Sequence, residues 1–245
     1  MTTVQGVLAA LRKTRLAVAR RRQGTGAEGF FLALQEMGGA ATRRARMYVS
    51  DLVLDLRLGV RTRGLADNEA ALTPRTLGGD PHAYEPVHAD WWRRAMSALP
   101  PVPPDAAFVD LGTGRGRPMV LAAQMGFRRI VGVELDPALV EAAERNVRRW
   151  SRRNSGAVMT VVHADAATYP LPDGPLVVFL ANPFGAETLR RVLDRVVARR
   201  GQGDVVVVYF NPVHADVFDD YPALPVHERG TDWVVYRLAA PEVTA

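Results

Sequence analysis

The spacing of apolar residues changes character near residue 105. Before it, Val4, Val7, Leu8 and Leu11 recur at helical spacing and predict a short amphipathic helix, interrupted by Gly24-Thr25-Gly26. A second helix is expected over Glu28 to Met37, stopped by Gly38-Gly39. The next stretch reads two ways. Leu52, Leu54, Leu56 and Leu58 alternate as in a strand, whereas the composition of Arg43 to Asp55 favours helix, and helix is the expectation. Residues 59–81, rich in glycine and proline, read as loop, and a further helix runs from about Val87 to Leu99. Pro100-Pro101-Val102-Pro103-Pro104 ends it, since successive prolines remove helix donors.

Beyond Ala106, short apolar runs alternate with helical periods. Strands are expected at Ala107–Leu111, Ile130–Val133, Val158–Val162, Leu176–Ala181, Val205–Phe210, Val226–Arg229 and Trp233–Leu238. Helices are expected at Pro118–Met125, Ala138–Arg153 and Glu187–Arg200. Near-continuous apolar strands separated by helices imply a parallel sheet covered on both faces. Gly230-Thr231-Asp232 is too short a link for anything but an antiparallel hairpin. The expected fold is therefore α/β, a Rossmann-like, doubly wound, mostly parallel seven-stranded sheet ending in an antiparallel hairpin. Residues 1–80 are read as a helical accessory segment and residues 81–245 as the main domain.

Composition narrows the chemistry. The chain has no cysteine, which excludes disulfides, thiolate zinc sites and a cysteine nucleophile, and suits a reducing cytoplasm. Lys13 is the single lysine among 31 basic residues, a bias typical of a GC-rich, bacterial coding sequence. Residues 1–104 carry 15 basic and 9 acidic side chains, net +6, while residues 105–245 are net −1. The basic arm, with Arg12, Lys13, Arg15, Arg20, Arg21 and Arg22, reads first as a solvated helical face and second as an anchor for an anionic partner. It also imitates a transit peptide in composition, but its charges interrupt any secretory apolar run. No stretch approaches the roughly 20 apolar residues of a membrane span, so no membrane partner is expected.

The candidate chemistry gathers at strand ends. Asp110-Leu111-Gly112-Thr113-Gly114-Arg115-Gly116 follows a strand and opens a helix, the context in which a glycine-rich loop approaches a ligand closely. Asp110 can accept from the cationic end of an amino acid moiety. Glu134 lies 18 residues after Gly116, where a carboxylate accepts from both ribose hydroxyls. Asp136-Pro137 marks the following helix start. Asp165 at a third strand end suits an exocyclic amine. Three such acids argue for an adenosyl ligand with an amino acid tail. His163 is read as a support for Asp165, and one ring of Trp91-Trp92 as core. A metal site from His82, Glu85 and His88 fits no standard ligand spacing, and no metal is expected.

These stretches resemble motifs I, II and III of class I S-adenosylmethionine-dependent methyltransferases, over roughly residues 80–240. Tyr84-Glu85-Pro86 and Asn182-Pro183-Phe184-Gly185 also resemble a little-characterised bacterial set within that class, and the glycine loop is similar to that of the Dot-type histone lysine methyltransferases. The terminal hairpin is the one that this class adds to a parallel sheet. The resemblance implies that the Asp110–Gly116 loop holds the methionine part of S-adenosylmethionine, Glu134 the ribose and Asp165 the adenine. It assigns Tyr84, Glu85, Asp110, Gly112, Thr113, Gly114, Gly116, Glu134, Leu135, Asp165, Ala166 and Asn182 to the cofactor.

Asn182, Phe184 and His214 are the candidate catalytic residues. An asparagine amide oxygen can orient a target amine, an aromatic face can hold a planar substrate, and a histidine can serve as base. The familiar amine-methylating form is Asn-Pro-Pro-aromatic; here the second proline is missing. Asn182-Pro183 also reads as a rigid strand-end turn, and Asn211-Pro212-Val213-His214 repeats it one strand later. The expected activity is methyl transfer to a nitrogen or oxygen of a small molecule or a protein side chain, favoured over RNA. A non-catalytic cofactor-binding protein is the rival of another class. The acceptor's identity and the oligomeric state stay open.

Overall fold

The computed structural model of the protein describes residues 50–62 and 86–240. Helical residues 50–58 form α1. There follow α2 (Ala89–Ser97), β1 (Ala107–Leu111), α3 (Arg117–Gln124), β2 (Arg129–Glu134), α4 (Pro137–Ser151) and β3 (Val158–His163). The chain continues through β4 (Leu176–Ala181), α5 (Ala186–Val197), β5 (Val205–Phe210), a 3-10 turn (Ala215–Asp220), β6 (Val226–Arg229) and β7 (Trp233–Arg237). The expected helices over residues 4–11 and 28–37 lie outside the described residues.

One seven-stranded sheet runs in the order β3-β2-β1-β4-β5-β7-β6. β1 to β5 are parallel, and β7 pairs antiparallel with both β5 and β6. The seven strands and the terminal hairpin are those that the apolar pattern predicts. β1, β4 and β5 are buried almost throughout, which is why they read as unbroken apolar runs. Edge strand β6 is exposed along its length, and its Val-His-Glu-Arg sequence suits an edge.

Alternate residues of each strand point to opposite faces. Phe108, Phe179 and Val208 join Trp92, Met119, Val120, Val147 and Trp150 in one core, under α2, α3 and α4. Val109, Leu180 and Tyr209 join Leu189, Val192, Val196 and Phe218 in the other, under α5 and the 3-10 turn. α4 starts at Asp136, whose carboxylate accepts from Ala138 N at 2.7 Å, with Pro137 at the first helical position.

α1 ends at Gly59 in the left-handed region, φ +68°, and Val60 N returns to Asp55 O at 3.0 Å. Asp51 opens the compact unit that contains the sheet, although the sequence reading sets everything before residue 81 apart. The stretch 51–62 is drawn in by polar contacts that link it to α3 and α4.

Candidate functional site

The chain leaves β1 toward β2 and β3 on one side and reaches β4 and β5 on the other, so the order reverses between β1 and β4. Open α/β sheets bind ligands in the crevice at that point, beyond the carboxyl ends of the strands. The glycine loop stands there. Gly112 N and Thr113 N both donate to Val133 O, at 2.8 and 3.0 Å, which ties the loop to the end of β2. Gly112, Gly114 and Gly116 have φ of +81°, +56° and +79°, a region that side chains disfavour. Gly112 has a second constraint: a Cβ there would collide with the ring of Pro183. The loop after β1 and the Asn-Pro turn after β4 are thus in direct contact across the crevice.

Asp110 is 1% exposed. Thr113 Oγ1 donates to its Oδ2 at 2.6 Å, while Oδ1 has no hydrogen-bond partner among the described residues. Burial disfavours the charged form more than Thr113 restores it, and nearby Glu134 adds repulsion. The carboxyl is pushed up from 3.8 to about 7. A cation brought to Oδ1 would draw off that proton.

Glu134 ends β2 and organises the backbone around it. Oε2 accepts from Gly114 N at 2.8 Å, and Oε1 from Leu135 N at 2.8 Å and Asp136 N at 3.0 Å. Burial raises its pKa, and these three amides pull it back. Oε1 is filled by its two amides, and Oε2 keeps one acceptor site beyond Gly114 N. Asp165 stands past the end of β3, its Oδ1 accepting from Ala167 N at 2.8 Å and its Oδ2 lying 3.9 Å from Arg191. His163 Nε2 is 3.0 Å from Leu135 O, so it braces the β2 end rather than Asp165.

The two Asn-Pro turns are matched. Ala181 and Phe210 are partners in the β4–β5 register, so Asn182 and Asn211 leave the sheet side by side. Both have φ of 49°, the only described non-glycine residues with positive φ. Asparagine tolerates this region better than most side chains, and strained backbone of this kind concentrates at functional sites. Tyr209, 1% exposed, connects the turns: its hydroxyl donates to Asn182 Oδ1 and accepts from His214 N, both at 3.3 Å.

Residues 108–199 match the family model of a methyltransferase domain. Residues 108–199 thus resemble the methyltransferase class that the sequence motifs suggest. The cofactor of that class is S-adenosylmethionine. The chain is 31% identical over 104 residues to a ribosomal protein L11 methyltransferase of Geobacter metallireducens, covering 42% of this chain and 31% of that protein. A namesake from Pelobacter propionicus is 31% identical over 102 residues, with the same coverage. The chain thus matches under a third of these relatives' length. Among solved structures it is similar to a human methyltransferase 10 domain containing protein, at 12% identity and a TM-score of 0.48, covering 80% of this chain and 97% of that one.

The sheet brings Asp110, the glycine loop, Glu134 and Asn182 to one edge. Phe184 is placed otherwise than the sequence reading expects: it is 9% exposed and packs in the core under α5, anchoring the turn from below. Leu135 and Ala166 flank the strand ends beside Glu134 and Asp165, both half-buried. Tyr84, Glu85 and His82 lie outside the described residues. His88 instead sets Nδ1 3.1 Å from Asp51 Oδ1. Trp92 is core, against Phe108 and Phe179, whereas half-buried Trp91 packs on Phe210 at the β5 end.

Sequence reasoning missed two residues that support this site. Tyr209 is one, a hydroxyl inside an apolar strand. The other is Arg117, fully buried at the first position of α3. It donates to Asp51 Oδ1 at 2.7 Å, Thr62 Oγ1 at 2.6 Å and Val87 O at 3.0 Å, and Asp55 Oδ1 is 3.5 Å away. It therefore clamps α1, the strand of chain after it and the entry to α2 onto the glycine loop. The legible signal was Asp51 and Asp55 on one helix face, four residues apart.

Proposed function

We propose that the protein transfers a methyl group from S-adenosylmethionine to a nitrogen or oxygen of a small molecule or protein side chain. The observation that carries this reading is Asp110 Oδ1, a buried carboxylate oxygen without a partner beside a positive-φ glycine loop at the sheet's crossover. Such an orphan acceptor suits the α-ammonium group of the cofactor's methionine tail. When bound, the cofactor supplies a sulfonium methyl open to in-line attack. The protein's task is then alignment, which is why no nucleophilic side chain is needed.

In this reading Asp110 and the loop hold the amino acid tail, with Thr113 fixing the carboxylate. Glu134 accepts from a ribose hydroxyl through Oε2, Asp165 accepts from the adenine amine, and Leu135 and Ala166 wall the base. Tyr84 and Glu85 are assigned to the cofactor by family resemblance. Asn182 orients the acceptor, and His214 takes its proton where the acceptor is a hydroxyl or a charged amine. The relatives' name supports a protein side chain among acceptors. The cysteine-free, arginine-rich composition supports a bacterial, cytoplasmic protein. RNA as acceptor is the second reading, favoured by unpaired arginines beside α1.

Two measurements test the cofactor site. Glu134→Ala should weaken S-adenosylhomocysteine, by calorimetry, by about 1.5–3 kcal/mol, the range for hydrogen bonds to a charged group. Undetectable binding to folded wild type at millimolar ligand would end the reading.

The second concerns pH. Asp110 must be ionised to pair with the ammonium group, and its carboxyl sits at about 7. Affinity should rise from pH 6 to 8, and fall below pH 7 by up to about tenfold per unit. The stability sign is opposite. The folded carboxyl keeps its proton to higher pH than the unfolded one, so stability is lost as pH rises from about 4 to 7. Asp110→Asn should flatten the affinity profile and raise the melting temperature at pH 8. A flat wild-type profile would remove Asp110 from the ligand.

A further inference from the structure

A cleft of about 410 Å³ lies between the end of α1 and the end of α4, away from the crevice. Arg61, Arg149, Arg152 and Arg153 line it, with Leu56, Gly59 and Val60. Its single acid, Asp55, is 2% exposed and turned inward to Thr62 and Arg117. Arg57 is exposed on the neighbouring turn of α1.

The arginines of this cleft differ from the others on the same helix. Arg145 and Arg148 pair with Glu141 and Glu144 at 3.2 and 3.1 Å. Arg61, Arg152 and Arg153 have no carboxylate partner among the described residues, and Arg149 reaches only the Asn146 amide, at 3.5 Å. One arginine near a helix carboxyl end is explained by the helix dipole. Four converging without acids raise the local potential and repel one another, which an anion would relieve. Gly59 makes room for them, since a Cβ there would strike the Arg153 guanidinium.

We propose that this cleft binds the phosphodiester backbone of a nucleic acid strand. Guanidinium forks match phosphate oxygens in pairs. The lining holds no aromatic side chain on which a base could stack, so recognition is of phosphates and not of sequence. The cleft also touches the cofactor loop through one residue. Asn146 donates to Arg61 O at 3.0 Å and to Arg115 O at 2.9 Å, and accepts from Arg61 N.

The test is fluorescence anisotropy of the full chain with labelled single-stranded RNA and DNA of mixed sequence, from 50 to 200 mM salt. Wild type should bind both, with a log–log salt slope of about −2 to −3 for four arginines at roughly 0.7 per phosphate. Arg152→Gln with Arg153→Gln should lower affinity at least tenfold at low salt and flatten the slope by about 1.4. Arg20→Gln, Arg21→Gln and Arg22→Gln together, in the basic arm, should leave both unchanged. No binding by wild type, an unchanged slope in the cleft variant, or loss only in the arm variant would overturn the proposal. So would a tenfold preference among base sequences. Circular dichroism of the cleft variant checks its fold, and failure of S-adenosylhomocysteine to bind wild type would count against methyl transfer and not against the cleft.

Discussion

Replacing Arg117 by methionine should lower the unfolding free energy by about 3–5 kcal/mol, the cost of removing one partner from a buried ionic group. The guanidinium is fully buried and meets Asp51, Asp55, Thr62 and Val87 at once. Without it, Asp51 and Asp55 lose the guanidinium that faces both of them in a low-dielectric site, while His88 Nδ1 stays 3.1 Å from Asp51. The hydrophobic part of the side chain is retained by methionine, so the loss reports the charge. Combining it with Asp51→Asn and Asp55→Asn should recover a large share, because the stranded carboxylates are then gone. Denaturant unfolding checks both. A loss under 1 kcal/mol in the single variant would mean that α1 is held by its apolar contacts alone. The functional consequence follows from position: Arg117 is the residue after Gly116, so loosening it loosens the loop, and cofactor affinity should fall with stability.

Arg117 also shows where sequence reading ends. Its partner Asp51 is 66 positions away, and hydrophobic periodicity says nothing about which distant polar groups meet. The sheet was legible because fully buried strands are apolar at every position, as in Val205 to Phe210, and the hairpin because three residues permit one connection. The glycine loop was legible because its conformation demands glycine at particular places, and the positive φ of Gly112, Gly114 and Gly116 bears this out. Phe184 lies deeper than its motif suggests, for a related reason. A Pro-aromatic pair after a strand looks the same whether the ring faces a ligand or turns back under the sheet, and here it packs with Leu180 and Leu189. Tyr209 hid inside the apolar run because its ring is core and only its hydroxyl reaches the turns.

That hydroxyl gives the Asn182 prediction its shape. Burial pushes the Tyr209 phenol up, so it stays protonated and donates; its oxygen already accepts from His214 N. Asn182 must therefore present Oδ1 to Tyr209, which leaves one lone pair of that oxygen and both amide hydrogens for an acceptor. Asn182→Ala should lower turnover roughly ten- to a thousandfold, with cofactor affinity within a few-fold of wild type, since the proposed adenosine and ribose contacts lie at the ends of β2 and β3. Alanine also disfavours the φ of 49° that Asn182 adopts. Asn182→Gly separates the two effects, because glycine keeps the turn and removes only the amide. A loss shared by both variants assigns the amide; a loss in alanine alone assigns the backbone. Asn182→Asp keeps the acceptor for Tyr209 and should be tolerated if the group only accepts from an amine, but should be harmful if it must donate. Tyr209→Phe keeps the ring in the core and should reduce turnover in the same direction, by less. The measurement needs a confirmed acceptor from a screen, or the slow self-methylation background until one is found. Wild-type turnover in both Asn182→Ala and Asn182→Gly would leave Asn182 as a turn former, and move the search to its twin Asn211 and to His214.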